Sequence, residues 1–311
     1  MFPEFKMNNC SEVPAVALTG KSWQQIRRGY MGRRRYSAAI LIIAGILTVT
    51  AACTSHLGPD VFGKGDPEYS LVWADEFDYT GLPDPEKWGY DVGGHGWGNN
   101  ELQYYTLGEN VTVRDGLLVI EARKEIYSGN QYTSTRLVSR GKGDWLYGKI
   151  EVRAKLPSGR GTWPAIWMLP TDWIYGTWPA SGEIDIMEHV GYDPGVVHGT
   201  VHTDQYNHMK GTQIGESQYI DTAFSEFHTY SIEWYEEGIL FFIDGKQYLK
   251  FSPFDYRTDP GYGEWPFDQR FHLLLNIAVG GNWGGVQGVD DAIFPARMEI
   301  DYVRVYQRRG E

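Results

Sequence analysis

The chain has 311 residues, of which 42% are hydrophobic, 22% charged and 15% aromatic, and this composition excludes a largely disordered protein. Its 38 glycines and many aromatic residues favour a β-rich architecture over a helical one. The formal net charge of −12 makes nucleic acids and anionic polymers unfavourable partners, whereas a neutral polymer is compatible with it.

A targeting segment precedes the part of the chain that is expected to fold. Residues 31–35 are basic, and residues 37–52 are mostly apolar and end in small side chains, an order that is typical of an export signal. This apolar stretch of 16 residues is shorter than the roughly 20 residues that a membrane-spanning helix needs. We therefore interpret residues 1–30 as an upstream extension and residues 31–52 as a signal peptide, and we expect the protein to be exported.

The signal region runs directly into Cys53 and resembles a bacterial lipoprotein signal, although Thr50 stands where that pattern prefers leucine. We expect a lipid anchor at Cys53 and an outer-surface lipoprotein; simple cleavage nearby, which would give an extracellular protein, is the alternative. Residues 53–68 are expected to form a tether. Beyond residue 52 the net charge is −17, from 21 basic and 38 acidic residues, and Cys53 is the last cysteine, so no internal disulfide is expected.

Residues 69–307 carry repeated strand signals and no long amphipathic helix. Residues 149–155 alternate apolar and charged side chains, which indicates a strand with one buried face. Two Asp-Gly pairs between apolar runs predict hairpins, and two further strands are expected. The predicted hairpins join residues 111–114 with 117–120 and 239–243 with 247–251; the two further strands span 228–235 and 299–306. The pattern predicts one all-β domain, a jelly-roll sandwich of two antiparallel sheets.

Three acidic residues lie close together in residues 183–188. In a regular strand Glu183 and Asp185 share one face, whereas Glu188 would point into the core with the isoleucines. Burying a bare carboxylate costs on the order of several kcal/mol. A β-bulge at or near Met187 would return Glu188 to the first face, with its backbone roughly 13 Å from that of Glu183.

Two carboxyl groups on one face suit retaining glycoside hydrolysis, which needs them about 5–5.5 Å apart as nucleophile and acid. Crowding should raise the pKa of one carboxyl group, as a general acid requires. Asp185 is positioned to hydrogen-bond the nucleophile. The alternative is a solvated acidic face without catalytic function, which the apolar residues between the carboxylates and the neighbouring tryptophans disfavour.

Aromatic and histidine residues around this strand are candidates for sugar contacts. Trp163 and Trp167 share a strand face, so both could line a groove, while packing in the core is the alternative. His198 and His202 also share a face; we favour His202 as a contact to the acid or to a sugar hydroxyl, with a structural histidine as the alternative. A zinc site is disfavoured because no third ligand lies at a familiar spacing.

These motifs together resemble glycoside hydrolase family 16. The segment 183–188, with its inserted Met187, is similar to the bulged signature of the laminarinases rather than to that of the bulge-free lichenases. Further motifs of that subgroup match over residues 69–307; they lie at 97–105, 163–167, 198–202 and 301–306.

The resemblance implies a jelly roll with an open substrate cleft that hydrolyses β-1,3-glucan, and also mixed-linkage β-1,3-1,4-glucan, internally and with retention. It implies Glu183 as nucleophile, Asp185 as assistant and Glu188 as acid/base. The implied substrate-binding residues are Asn99, Trp163, Trp167 and His202. No cofactor is implied for catalysis, and the expected working form is a monomer without a nucleic-acid partner.

The resemblance also implies a structural calcium ion on the face opposite the cleft. The matching positions are Glu76, the Gly116 carbonyl and Asp301, and oxygen ligands of this kind suit calcium. Two alternatives to glucan hydrolysis remain open. One is a glucan-binding module without catalysis, which the three retained carboxylates disfavour; the other is hydrolysis of a neutral marine galactan such as agarose.

Overall fold

The computed structural model describes residues 69–309. The upstream extension, the signal peptide, and the tether with its expected lipid anchor at Cys53 lie outside the described residues, and these expectations stay predictions. Within the described range, no helix has the length and apolar character needed to cross a membrane.

Almost all regular structure in residues 69–309 is β-strand. In chain order the first nine strands are β1 (Tyr69–Asp75), β2 (Gly89–Tyr90), β3 (Gln103–Tyr105), β4 (Val111–Arg114), β5 (Leu117–Tyr127), β6 (Asn130–Ser134), β7 (Arg136–Val138), β8 (Asp144–Trp145) and β9 (Gly148–Lys155). The others are β10 (Thr162–Pro170), β11 (Glu183–His189), β12 (Val196–His202), β13 (Ile214–Tyr219), β14 (His228–Tyr235), β15 (Gly238–Ile243), β16 (Lys246–Phe251), β17 (Phe271–Val279) and β18 (Ala296–Arg308). Two short 3₁₀ helices span Pro253–Asp255 and Asp291–Ile293.

The strands form two sheets. The first sheet has the order β16-β15-β14-β9-β18-β5-β6-β3, with β1 also paired to β18 and β4 to β5. The second sheet has the order β13-β12-β11-β10-β17-β7-β2, with β8 also paired to β17. Every named strand pair is antiparallel except β3 with β6. The jelly-roll sandwich of two antiparallel sheets that the sequence predicts is confirmed.

The core lies between the sheets and follows from the alternation of side chains along the strands. In β9 every second residue is buried, including Ile150, Val152 and Ala154, and the residues between them reach solvent. From the second sheet, Ile184 of β11 and the fully buried strand β17 contribute to the same cluster. Each large apolar side chain that is buried in this way contributes about 1.5–3 kcal/mol.

Both predicted Asp-Gly hairpins are present, as β4–β5 and β15–β16. Asp115 and Gly116 have φ values of 55° and 77°, and Asp244 and Gly245 have 50° and 74°. Tight two-residue turns need positive φ at both positions, which is why Asp-Gly closes them. The strands expected at 149–155, 228–235 and 299–306 are confirmed as β9, β14 and part of the longer β18.

Candidate active site

Strand β11 contains the bulge that the sequence predicts. Towards β10, Trp167 pairs with Asp185 and Ile166 pairs with Met187, so Ile186 has no partner in this register. The irregularity recurs towards β12, where the register shifts between Asp185 and Glu188. One extra residue therefore lies in β11, and the predicted position at or near Met187 is confirmed.

The bulge sets the direction of each side chain on β11. Ile184, Ile186 and Met187 are all buried in the core between the sheets. Glu188 consequently points to the opposite face, and it lines the same cleft as Glu183 and Asp185. Without the extra residue, alternation would direct Glu188 towards the core.

The cleft has a volume of about 420 Å³ and lies on the outer face of the second sheet. Its tryptophan side chains come from β10 and from surrounding loops. Five tryptophans line it: Trp97, Trp163, Trp167, Trp173 and Trp178. Flat aromatic faces and edges of this kind pack against the C–H faces of sugars, so the cleft has the surface that a glycan needs.

The β11–β12 register brings His202 to the carboxylates. His202 pairs directly with Glu183 in the ladder, and its Nε2 atom lies 3.3 Å from Asp185 Oδ2 and 3.9 Å from Glu183 Oε1. His198 instead pairs with Glu188 in the ladder, and its ring packs edge-on against Trp283 with centroids 5.0 Å apart. Of the two histidines considered from the sequence, His202 is therefore the one beside Glu183 and Asp185.

All three carboxyl groups have raised pKa values. Burial raises the pKa of Glu183 well above its usual range, and the charge of Asp185 adds to the effect. Burial, followed by the charge of Glu188, raises the pKa of Asp185 well above its usual range. Burial also raises the pKa of Glu188, against the opposing hydrogen bond from Trp163. The cleft therefore favours the neutral acid form, which is the property of a proton donor.

Trp163 and Trp167 both line the cleft but differ in their contacts. Trp163 Nε1 donates a hydrogen bond of 2.9 Å to Glu188 Oε1. Trp167 Nε1 donates to Asn276 Oδ1 at 2.7 Å, and the Arg136 guanidinium lies 4.6 Å from its ring centroid. Trp163 thus contacts a carboxylate of β11 directly, whereas Trp167 belongs to a neighbouring polar network.

This network contains cleft residues that the sequence reasoning did not select. Asn99, which it did select, lines the cleft with its Nδ2 atom 3.5 Å from Glu101 Oε1. Gln103 and Tyr105 each donate a hydrogen bond to Glu101 Oε2, and burial raises the pKa of Glu101. Within the motif at residues 97–105, Glu101, Gln103 and Tyr105 alternate along the chain, and this alternation indicates that the three side chains share one face.

Arg136 was also missed, and nothing in its sequence neighbourhood marks it. It is 8% exposed and lies between two tryptophans, 4.8 Å from the ring centroid of Trp97 and 4.6 Å from that of Trp167. Asp91 pairs with it at 3.2 Å. Only the pairing of β7 with β17 brings this arginine to the cleft.

The three positions implied for calcium converge at one segment of β18. Asp75, next to Glu76, pairs with Val303, and Leu118, two residues after Gly116, pairs with Ile300. Both carboxylates have arginine partners, however. Glu76 accepts two hydrogen bonds from Arg304, at 2.7 and 2.8 Å, and Asp301 forms an ion pair with Arg153. The donor set consists of oxygen atoms and fits a hard cation, which would compete with these guanidinium groups.

Comparison with known proteins identifies the family. The model of glycosyl hydrolases family 16 matches residues 98–304. The chain belongs to glycosyl hydrolase family 16. The matched range of this family 16 chain contains the three cleft carboxylates and the bulge between them.

Two solved structures and one curated relative illustrate the similarity of this family 16 member to characterised proteins. It is 60% identical to a β-glucanase of Rhodothermus marinus over 270 residues, which cover 85% of this chain and 93% of that protein. It is also similar to the crystal structure of the laminarinase from Rhodothermus marinus, with a TM-score of 0.76, 60% identity, and coverage of 78% of this chain and 98% of that one. A non-specific endo-β-1,3(4)-glucanase with an oligosaccharide at its active site matches with a TM-score of 0.73 and 48% identity, over 78% of this chain and 98% of that one.

Proposed function

We propose that this chain is a retaining endo-hydrolase of β-1,3-glucan, with Glu183 as nucleophile, Asp185 as its assistant and Glu188 as acid/base. The observation that carries the proposal is the bulge in β11, since it aligns three carboxyl groups with raised pKa values along one wall of a tryptophan-lined cleft. The activities named for the Rhodothermus marinus relatives support this substrate class.

In the first step Glu188 gives its proton to the glycosidic oxygen as the bond between that oxygen and the anomeric carbon breaks. A carboxylate oxygen of Glu183 forms a bond to the same carbon and holds the sugar as a glycosyl ester. In the second step Glu188 takes a proton from water, and the water oxygen displaces Glu183. The two displacements together retain the configuration and return Glu188 to its protonated form.

The surroundings of each carboxyl group suit these functions. Burial and the charge of Asp185 raise the pKa of Glu183, so attack on the anomeric carbon requires the form in which Asp185 holds the proton and Glu183 is ionised. Burial raises the pKa of Glu188, which favours the protonated form that the first step needs. The indole N–H of Trp163 then stabilises the Glu188 carboxylate between the two steps.

Four further residues are proposed to contact the glucan. Asn99, Trp163 and Trp167 line the cleft, and His202 lies beside the nucleophile. For Trp167, the Arg136 guanidinium covers part of the ring, so the sugar would contact the remainder. We propose that the enzyme also cuts mixed-linkage β-1,3-1,4-glucan, which the non-specific relative of known structure supports.

The test compares wild type with Glu183→Ser on laminarin, lichenan and agarose by following new reducing ends. We expect activity on laminarin and lichenan, and a loss of at least about 10³-fold in the variant, because a covalent nucleophile is removed. Glu237→Ser, in the exposed turn after β14, is the matched control and should retain activity. Activity on agarose alone would support the galactan alternative, and binding of laminarin without hydrolysis would support the binding module.

We also propose that the protein is exported and carries a lipid at Cys53. The support is the order of a basic segment, a short apolar segment and small residues directly before that cysteine. Mass spectrometry of the mature N-terminus tests this directly. A chain that begins at an acylated Cys53 agrees with the proposal, and an unmodified cysteine contradicts it.

A structural calcium ion near Glu76, Gly116 and Asp301 is a further proposal. Its support is the convergence of these residues on β18 and the register shift between Ile300 and Tyr302, which leaves Asp301 as an extra residue. A chelator should lower the melting temperature by a few degrees, and added CaCl₂ should restore it. We further propose a monomer as the working form, since a single chain supplies all lining residues of the cleft.

A further inference from the structure

Two carboxylates in the wall of the cleft and a buried histidine beside them have the chemistry and spacing of metal ligands. One atom from each of Glu183, Asp185 and His202 lies within 4.8 Å of the other two. Between residues 69 and 309 this is the one group of at least three His, Cys, Asp or Glu side chains that meets this spacing. The spacing of His198 and His202 along their own strand gave no third ligand. Glu183 and Asp185 lie on the neighbouring strand β11, so only the pairing of β11 with β12 brings them to His202.

The distances suit a small tetrahedral cation. Zinc binds nitrogen and oxygen ligands at about 2.0–2.2 Å, so two ligand atoms at the corners of its tetrahedron are roughly 3.3–3.6 Å apart. His202 Nε2 is 3.3 Å from Asp185 Oδ2, within this range, and 3.9 Å from Glu183 Oε1. A small rotation of the Glu183 side chain would close the second distance. Calcium, which prefers six to eight oxygen ligands at longer distances, fits this trio poorly.

Two buried atoms of the trio also lack hydrogen-bond partners. They are Asp185 Oδ2 and His202 Nδ1, on residues that are 2% and 6% exposed. Buried polar atoms without partners are uncommon because each one loses its hydration without compensation. Asp185 Oδ2 faces His202 Nε2, so a cation between them would satisfy the carboxylate oxygen. The lack of a well-formed hydrogen bond at this buried oxygen supports a cation at this position.

The charge of the cleft favours a cation as well. Glu188 and Glu101 line it together with Glu183 and Asp185. Arg136 is the only Lys or Arg among the described lining residues, and it is already paired with Asp91. A concave surface with this balance concentrates cations.

We propose that Glu183, Asp185 and His202 bind one zinc-type divalent cation, which occupies the nucleophile and reversibly inhibits the enzyme in competition with glucan. Water completes the tetrahedron at the fourth coordination position, because no further His, Cys, Asp or Glu side chain of residues 69–309 joins the trio at this spacing. The inhibition rests on the proposed function, whereas the binding does not. Free zinc in the surroundings would then set the fraction of active enzyme.

Binding is tested by isothermal titration of chelator-stripped and dialysed protein with ZnCl₂. Saturating CaCl₂ is present throughout, so that a hard-cation site elsewhere is filled. Wild type should bind one zinc ion per chain. His202→Gln should weaken binding by about tenfold or more, because a ligand is lost and even the loss of a hydrogen-bond partner of a ligand costs that much.

The matched control is Glu188→Gln, which neutralises a carboxylate on the same wall that is not a ligand. It should lose hydrolysis but weaken zinc binding by only about threefold, clearly less than either ligand variant, because only the charge of the cleft changes. Asp185→Asn is the second ligand variant, and circular dichroism melts verify that each variant is folded. Absence of a saturable zinc site in wild type, or unchanged affinity in both folded ligand variants, would overturn the proposal.

Co²⁺ and laminarin kinetics supply two further readouts. Cobalt in the site should give the intense visible absorption of a tetrahedral centre, and this absorption should be absent from His202→Gln. Zinc should raise the apparent KM for laminarin without lowering kcat; a fall in kcat alone would contradict occupation of the nucleophile. If zinc binds but laminarin is not cleaved, the proposed function fails and the metal site stands, whereas cleavage without zinc binding gives the reverse result.

Discussion

Two bulged strands on opposite sheets of this molecule direct carboxylates into different electrostatic surroundings. In β11 the extra residue aligns Glu188 with Glu183 and Asp185, and burial raises their pKa values. In β18 the extra residue is Asp301, and that carboxylate forms an ion pair with Arg153.

The first sheet has several other carboxylates that are paired with a cation, as Asp301 is with Arg153. Its outward carboxylates pair with cations: Glu76 with Arg304, Glu151 with Lys149 and Glu299 with Lys155. Arg304 holds the pKa of Glu76 below its usual range through their hydrogen bonds. The comparison shows that the carboxylates of a strand face have raised pKa values where they are buried and have no Lys or Arg partner. Where Lys or Arg side chains pair with them, they form an ordinary salt-bridged surface.

The largest effect is expected from the bulge itself. Deleting Met187 should return Glu188 to the core face and lower kcat on laminarin by at least about 10²-fold, the contribution of a general acid. Met187→Leu keeps the extra residue and a similar volume, so it should stay within a few-fold of wild type. Reducing-end assays on folded protein measure both, and equal losses in the two variants would contradict the bulge argument.

A smaller effect is expected from the hydrogen bond to the acid/base. Trp163→Phe removes the indole N–H that stabilises ionised Glu188. The pKa of Glu188 should rise, so Glu188 stays protonated to higher pH and the alkaline limb of the kcat profile should move upward. We expect a loss of about tenfold in kcat/KM, the scale of one charge-assisted hydrogen bond. Trp173→Phe, another tryptophan that lines the cleft, is the control and should leave the alkaline limb unmoved.

On the core side of β11, the His189 side chain has a third kind of environment, in which a titratable group is buried without an oppositely charged partner. His189 is 0% exposed, and burial lowers its pKa to about 4 against an opposing contact with the Asp193 backbone. In the unfolded chain the pKa is about 6.5, so the unfolded state takes up the proton first and stability is lost as the pH falls from about 6.5 to about 4. The loss in this window is about 3 kcal/mol at most.

His189→Leu should reduce that loss when the free energy of unfolding in urea is compared at pH 7 and pH 4.5. The cleft carboxyl groups, whose pKa values are raised, gain stability as the pH falls, but they do so in both proteins and cancel in the comparison. Between pH 7 and pH 8 the two proteins should show the same slope. An equal loss from pH 7 to pH 4.5 in both would exclude His189 as a source of acid sensitivity.

The smallest effect is expected on the first sheet. Glu76→Gln should lower the free energy of unfolding by less than about 1 kcal/mol in a chelator, because its pair with Arg304 is partly exposed and screened. If calcium binds there, the loss should be clearly larger in CaCl₂, since a ligand is removed. Thermal melts under the two conditions separate a simple ion pair from a metal site, and equal shifts would speak against calcium.

Much of the fold and part of the site were predictable because their determinants are local. Alternation along β9 and the Asp-Gly turns depend only on neighbouring residues, and both were confirmed. Regular alternation along β11 would direct Glu188 into the core, and this conflict is visible within a single strand. The bulge near Met187 could therefore be inferred from the sequence. Glu101 was missed although it lies in a recognised motif, because its importance depends on burial rather than on residue type.

Sequence patterns were therefore enough to predict the all-β architecture, the family and the common face of the three carboxylates. The surroundings of these carboxylates depend on how the strands pair. The pairing of β11 with β12 brings His202 to Glu183 and Asp185, and so supplies the ligands that histidine spacing lacked. The pairing of β7 with β17 brings Arg136 to the cleft, and the pairing of β9 with β18 brings Arg153 to Asp301. The physical reason is that pKa values and ligand sets depend on contacts between strands, whereas side-chain parity is set within one strand.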